Sequence, residues 1–155
     1  MANPIPEGLH TVTPALTIEG ASEAIAFYKA AFGAVEEMRA PDPSGQKIWH
    51  AVIRIGDSAI FINDTFPEMG ASPNRSKLWI YTTDVDALFN RAVGAGATIK
   101  MAPVDMFWGD RIAMLGDRFG QEWALAQHTQ DLSPEELQRA QEAEVAKYAA
   151  APSKK

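Results

Sequence analysis

The chain has 155 residues, with 14 lysines and arginines against 20 aspartates and glutamates, a formal net charge of −6. This balance disfavours a nucleic-acid partner, which would need a basic face. The chain has no cysteine, which excludes disulfide frameworks, thiolate zinc sites and cysteine nucleophiles. The N-terminus lacks a signal-peptide pattern, and no segment approaches the roughly 20 apolar residues of a membrane-spanning helix. The sequence therefore predicts a cytoplasmic protein with no membrane partner.

The first half of the chain predicts one helix among four strands. Residues 11–19 are rich in β-branched side chains and predict a strand. Apolar residues then recur at spacings of three and four over 21–32, the pattern of an amphipathic helix, which Gly33 ends. Three further strands are predicted, at 34–40, 47–55 and 59–64.

The second half repeats this order. A strand at 76–83 precedes a helix that begins after Asp84. Three strands follow, at 97–101, 111–115 and 122–127. Gly33 and Gly96 lie 63 residues apart in corresponding places. We therefore expect residues 1–130 to form one domain of two βαβββ modules, at about 10–66 and 76–128. The two modules should share one core, because a module of about 60 residues alone buries little apolar surface. We expect their strands to form one continuous curved sheet region.

The tail, residues 131–155, predicts a separate helix. Ser133, Pro134 and Glu136 form a capping box with proline at the first helical position. The helix is expected at about 134–150. Its apolar stripe is thin, so we expect it to lie on the surface or on a partner subunit.

Seven segments, in order and with fitting spacing, resemble the vicinal oxygen chelate superfamily, and most closely its PhnB-like branch. That superfamily holds glyoxalase I, extradiol dioxygenases, and fosfomycin- and bleomycin-resistance proteins. The segments are TPALTI (13–18), EAIAFYKAAFGA (23–34), HAVIRIGDS (50–58), FINDTFPE (61–68), FWGDR (107–111), DRFGQEWALAQH (117–128) and LSPEEL (132–137). The resemblance implies an α+β fold of two βαβββ modules plus a C-terminal helix. Arg118 departs from the branch, which usually has proline there, and should alter a turn only.

The resemblance also bears on metal binding. In the metal-using members, the first and last strands of each module present His or Glu side chains to a divalent ion that holds two substrate oxygens. Alignment by the helices places those positions near Thr13, Ile60 or Phe61, Leu78 and Ala124, and none of these side chains ligates a metal well. A shift of two residues reaches a carboxylate only at Glu122. We expect no metal at the superfamily site and no cofactor.

Strand alternation predicts which side chains line the concave side of the sheets, which we call the cup. The residues expected under the helices are Trp49, Ala51, Ile53, Trp123 and Leu125. Trp79 is likewise expected in the core. The residues expected to line the cup are His50, Arg54, Ile60, Ile62, Asp64, Leu78, Glu122 and Ala124.

Five residues are the candidate ligand-binding groups: His50, Asp64, Trp108, Arg111 and Glu122. Histidine titrates near neutral pH, so His50 suits a general base or a binding group, or it makes a structural hydrogen bond within its strand. Asp64 suits a cationic ligand group, or it caps the next loop. Trp108 and Arg111 are expected on a loop at the rim of the cup, where they suit stacking and orientation of a small molecule. Alternatively this loop is only a turn, and Asp110–Arg111 is a surface ion pair. Glu122 either acts as a base or is a solvated carboxylate, and His128 is interpreted as a strand-end residue.

These observations favour a small-molecule binding protein that lacks the usual metal site and forms a homodimer. Two alternatives stay open: a divalent-metal-dependent lyase or isomerase of glyoxalase type, and a drug-sequestering resistance protein with a groove at its dimer interface. The sequence does not decide whether the protein is an enzyme. It contains no GxSxG, P-loop, GxGxxG or HExxH motif.

Overall fold

A computed structural model describes residues 1–151 as two βαβββ modules followed by a helix. The first module comprises β1 (Ala15–Ile18), α1 (Ala21–Phe32), β2 (Val35–Pro41), β3 (Ile48–Ile55) and β4 (Ser58–Asp64). The second comprises β5 (Lys77–Tyr81), α2 (Val85–Gly94), β6 (Thr98–Asp105), β7 (Asp110–Gly116) and β8 (Glu122–His128). A 3₁₀ turn at Pro67–Met69 lies between them, and α3 (Pro134–Ala150) follows. The predicted α+β fold is confirmed.

Each module forms its own four-stranded sheet, in the orders β1-β4-β3-β2 and β5-β8-β7-β6. We call them sheet 1 and sheet 2. The first strand of each module pairs in parallel with the last, and the other pairs are antiparallel. The prediction of one continuous sheet is wrong, because no strand of sheet 1 is hydrogen-bonded to a strand of sheet 2 within residues 1–151.

The modules share one core behind the sheets. Helices α1 and α2 each bury a single face and pack against each other. From α1, the rings of Tyr28 and Phe32 reach Trp123 of β8, with centroids 5.0 and 4.7 Å apart. The Tyr28 hydroxyl donates a hydrogen bond to Asp117 of the second module at 2.7 Å. The helices therefore cover one side of the sheets and leave the other side for the cup.

Two strand ends differ from the sequence prediction by four residues, and both lie close to a proline. Strand β1 begins only at Ala15, because Pro14 accepts a hydrogen bond from Phe61 but has no N–H of its own to donate. Strand β6 runs on to Asp105 through Pro103. It is an edge strand with register shifts between Ile99 and Val104, a setting that tolerates proline.

Helix α3 begins with the predicted capping box. The Ser133 hydroxyl accepts from the Glu136 amide, and the Glu136 carboxylate accepts from the Ser133 amide, both at 3.1 Å. No residue of α3 is buried. Across residues 1–151, no helix is both long enough and apolar enough to cross a membrane.

Candidate functional site

The strand faces agree with the predicted alternation in part. Ala51, Ile53 and Leu125 are fully buried on the helix side, and Trp123 is nearly so, as predicted. Trp49 is 48% exposed, so its predicted place under the helices is wrong. A register shift between β2 and β3 lets Ile48, 3% exposed, take that buried place.

The predicted place of Asp64 in the cup is wrong, and so are those of Ile60 and Ile62. Residues opposite each other across a strand pair share a face, and Ile60 and Ile62 lie opposite the buried Ile53 and Ala51. Asp64 follows them on that face at 5% exposure.

The carboxylate of Asp64 caps the start of α1. Its Oδ1 accepts from the amides of Gly20 and Ala21 at 3.1 and 3.0 Å, and its Oδ2 accepts from Ile48 at 2.7 Å. A negative charge suits the N-terminus of a helix. Gln127 of β8 plays the matching part in the second module, where its Oε1 accepts from the Val85 amide at 3.1 Å. Both side chains therefore have a structural role, because they hold the starts of the two helices against the sheets.

The predicted place of Arg111 at the rim of the cup is also wrong. Strand β7 begins one residue earlier than predicted, and Arg111 lies opposite Gln127, on the helix side. Its Nε and Nη2 atoms donate to the Asp86 carboxylate of α2 at 2.9 and 3.0 Å. Arg111 therefore ties sheet 2 to its helix.

His50 lies on the cup side of sheet 1. Its half-buried ring packs edge-on against Phe61, with centroids 4.8 Å apart. The neighbouring Arg54 is engaged by the Glu37 carboxylate. A binding role for His50 stays a prediction.

The centre of sheet 2 presents an aromatic surface to the cup. Trp79 and Tyr81 of β5 are 43% and 63% exposed, and they lie opposite Ala124 and Ala126, which are fully buried. The predicted core position of Trp79 and the predicted cup position of Leu78 are both wrong, because Leu78 and Ile80 take the helix side. Two small side chains thus lie beside two large exposed rings on the same face of sheet 2, and we call the two alanines the floor.

A polar cluster lies at one end of this aromatic surface. Asp110 is 3% exposed and accepts from the Tyr81 hydroxyl at 2.9 Å. Its other oxygen lies 2.8 Å from Nδ1 of His128, whose Nε2 lies 2.8 Å from Asp131. Burial alone would raise the pKa of Asp110, but hydrogen bonds from His128, Tyr81 and Trp108 outweigh it and hold the pKa below its usual range. Trp108 thus borders the cup beside a charged Asp110.

The sequence analysis did not predict this cluster, although strand alternation would have placed His128 on the cup side. His128 shares the parity of Ala124 and Ala126, and the β7–β8 register places Asp110 directly opposite. What hid it was the predicted start of β7 at 111.

Glu122 lies at the other end, on the cup side, as predicted. It pairs with Lys100 of β6 and lies opposite Lys77. The hydrogen bond and charge of Lys100, with further contributions from Lys77 and Arg75, hold the pKa of Glu122 below its usual value. Glu122 is therefore charged at neutral pH. Its role in binding stays a prediction, as does that of Trp108.

In each module, the cup-facing pair of the first and last strands nearest to the positions predicted for metal ligands carries no metal-binding side chain. Of the positions predicted from the sequence, Thr13 precedes β1 and Leu78 faces the helices. On the cup side, the first and last strands present Ala15 opposite Phe61, and Trp79 opposite Ala124. A metal ligand must offer a lone pair of electrons. Alkyl and aromatic carbon groups have none, and the indole nitrogen carries a hydrogen and can only donate a hydrogen bond. Nowhere in residues 1–151 do three or more His, Asp or Glu side chains converge for a metal ion. The residues present do not fit a divalent ion at this site.

Paired βαβββ modules around a cup of mixed polarity define a class of small two-module proteins. Comparison with known families makes this specific: residues 9–125 match the Glyoxalase/Bleomycin resistance protein/Dioxygenase superfamily. The chain belongs to that superfamily.

Relatives and solved structures agree with this assignment. The uncharacterized proteins Mb0911c of Mycobacterium bovis and Rv0887c of Mycobacterium tuberculosis are each 39% identical over 140 residues, which covers 83% of this chain and 90% and 81% of theirs. TioX from Micromonospora sp. ML1 is 26% identical with a TM-score of 0.62, covering 76% of this chain and 95% of its own. Protein PA1353 from Pseudomonas aeruginosa is similar in fold, at 24% identity and a TM-score of 0.58, covering 79% and 100%.

Proposed function

We propose that this protein binds a small organic molecule in its cup and does so without the metal used by other members of the superfamily. The observation that carries the proposal is the exposed pair Trp79 and Tyr81 beside the floor of Ala124 and Ala126. Apolar walls with a few placed polar groups are the usual make-up of a ligand site. A surface of this kind, open to water and bordered by charges, marks an interaction site.

The two ends of the surface give the ligand its orientation. An aromatic or alicyclic body would lie on Trp79, where ring contacts add to the burial of apolar area. The Asp110–His128 pair then offers polar contacts at one end and Glu122 with its lysines at the other. The order of the seven matching segments supports the proposal that the chain belongs to the PhnB-like branch.

We also propose that the protein is a homodimer. Several large apolar side chains outside the buried core are exposed, among them Val35 of β2 and Ile99 and Val104 of β6, at 63%, 52% and 41%. Both strands are sheet edges. A second copy would cover these side chains, and sedimentation equilibrium should therefore report twice the 16.9 kDa chain mass. A monomer at every concentration tested contradicts this proposal.

The test of metal-independent binding is native mass spectrometry of the protein as purified from cells, with elemental analysis after dialysis. We expect a co-purified organic molecule and no stoichiometric metal. One equivalent of Zn, Ni, Fe or Mn per chain would contradict the proposal and favour the glyoxalase-type lyase or isomerase. His50 and Glu122 would then be the ligands to examine, since Asp64 is engaged at α1.

A further inference from the structure

We infer that one end of the cup is a subsite for an anionic group, a carboxylate or phosphate, of the bound molecule. The inference deepens the proposed function and rests on it. The site is a recess of about 540 Å³ that crosses all four strands of sheet 2 at the start of β8. We call it the basic recess, and its defining residues are Arg75, Lys77, Lys100, Gly116 and Glu122.

The charges in the basic recess differ in sign from the protein as a whole. The chain carries a net charge of −6, yet three cations meet here. Asp117 also borders the recess, but its oxygens are taken: they accept from the Tyr28 hydroxyl, the Trp123 indole and the amides of Phe119 and Gln121. The three cations outnumber the two carboxylates among the described lining residues, and Glu122 is the one that pairs with a cation of the recess, Lys100.

Gly116 makes room for the recess. Its φ is not in the left-handed region, so the backbone does not require glycine at this position. A Cβ built there would lie 3.0 Å from Cε of Lys100. Because position 116 lacks a side chain, Lys100 can lie across β7 to reach Glu122. Glu122 in turn pairs with the ammonium group of Lys100, and both side chains are about half exposed in the recess.

Two cations are left to bind a guest. Within residues 1–151, Arg75 and Lys77 have no side-chain hydrogen bond or ion pair. A guanidinium binds a carboxylate or phosphate through two parallel hydrogen bonds, and an ammonium adds a point charge. The recess lies on the same face as the Trp79–Ala124 pair, next along the strands. An anionic group held here would leave the rest of the ligand on the aromatic surface.

The test is an NMR titration of the full chain with inorganic phosphate and, separately, with succinate. We expect each anion to shift the amide signals of Gly116 and Gly120 in a saturable way. The double variant Arg75→Gln/Lys77→Gln should weaken this binding by about fivefold or more, because it removes both uncommitted cations. Arg139→Gln/Lys147→Gln on α3 changes the net charge equally and should leave the affinity within about twofold. Equal affinity in the two double variants overturns the inference.

Gly116→Ala is the second probe, since it alters the shape of the recess without removing a charge. The new Cβ would lie too close to Cε of Lys100, so we expect the lysine side chain to be displaced. Anion binding should then weaken by about threefold or more. Unchanged binding in this variant contradicts the role given to Gly116.

A neutral probe, benzamide, separates this inference from the proposed function. A shift of the Trp79 indole signal with benzamide, but no shift of Gly116 or Gly120 with either anion, overturns the anion subsite and leaves the proposed function standing. Anion binding without any shift of the Trp79 signal by benzamide overturns the proposal that the aromatic surface binds the ligand. It also overturns the claim that the basic recess is a subsite of that ligand site. Both probes binding, and each shifting its own signals, is the result that we expect.

Discussion

The imidazole of His128 has a carboxylate at each nitrogen, Asp110 on one side and Asp131 on the other, both at 2.8 Å. Carboxylates only accept hydrogen bonds, so both contacts are hydrogen bonds only when the ring carries two protons. The bonds to Asp110 and then Asp131 raise the pKa of His128 above its usual value. When the ring carries both protons, it links β8 to the segment that leads into α3.

This gives a prediction about pH. The pKa of His128 is higher in the folded than in the unfolded chain, so its contribution to stability is complete below about pH 6.5 and is lost as the pH rises through the folded-state pKa. We expect the difference in unfolding free energy between wild type and His128→Gln to shrink as the pH is raised from about 6 to about 9. Urea denaturation at several pH values measures it, with His10→Gln on the N-terminal segment as control. A difference that is constant with pH contradicts the prediction.

Asp64 gives a second prediction at this scale, because its carboxylate accepts hydrogen bonds from three backbone amides. Asp64→Ala leaves those amides without an acceptor, and we expect it to lower the unfolding free energy by about 2–3 kcal/mol. Asp57→Ala, at the exposed turn between β3 and β4, should change it by less than about 0.5 kcal/mol. Denaturation curves of the two variants decide it. Wild-type stability of Asp64→Ala would show that the cap is not needed.

At the scale of elements, the loop between β6 and β7 holds the segment that follows β8. The carbonyl of Gly109 accepts from the amides of Thr129 and Gln130. Gly109 has a φ of 95°, and a Cβ there would lie 2.5 Å from the Gln130 carbonyl oxygen. Only glycine allows the two segments to approach this closely.

We therefore expect Gly109→Ala to destabilise the protein by about 1–3 kcal/mol more than Gly45→Ala does. Gly45 has a similar positive φ of 74° but open space around its Cα, so it carries the backbone strain without the clash. Thermal or urea unfolding of both variants compares them. Equal losses in the two variants would mean that the loop and the tail segment separate at little cost.

The order of the elements and the helix faces could be predicted because a 3.6-residue period survives in each helix. Which face of β4 points to the helices could not be predicted. The middle of this strand carries Ile60, Phe61 and Ile62 in succession, so both faces are apolar and alternation does not distinguish them. The register shift in β3 and the early start of β7 then moved Trp49 and Arg111 to faces that no local pattern shows.

At the scale of the whole molecule, the helices cover one side of both sheets, and the cup side keeps exposed aromatic rings. If the aromatic surface binds the ligand, Trp79→Ala should weaken binding of the co-purified molecule by about 1–3 kcal/mol, the scale of a lost stacking contact with its buried area. Tyr148→Ala, which removes an exposed ring from α3, should have no effect. Calorimetric titration of both variants measures this, and equal affinities would remove Trp79 from the site.

The most direct test of the account is a crystal structure of the full chain with the molecule that co-purifies with it. We expect electron density for that molecule over Trp79 and the Ala124–Ala126 floor, with its acidic group toward Arg75 and Lys77 and no metal ion between it and the protein. Density in another part of the molecule, or a metal bridging ligand and protein in the cup, would contradict the account.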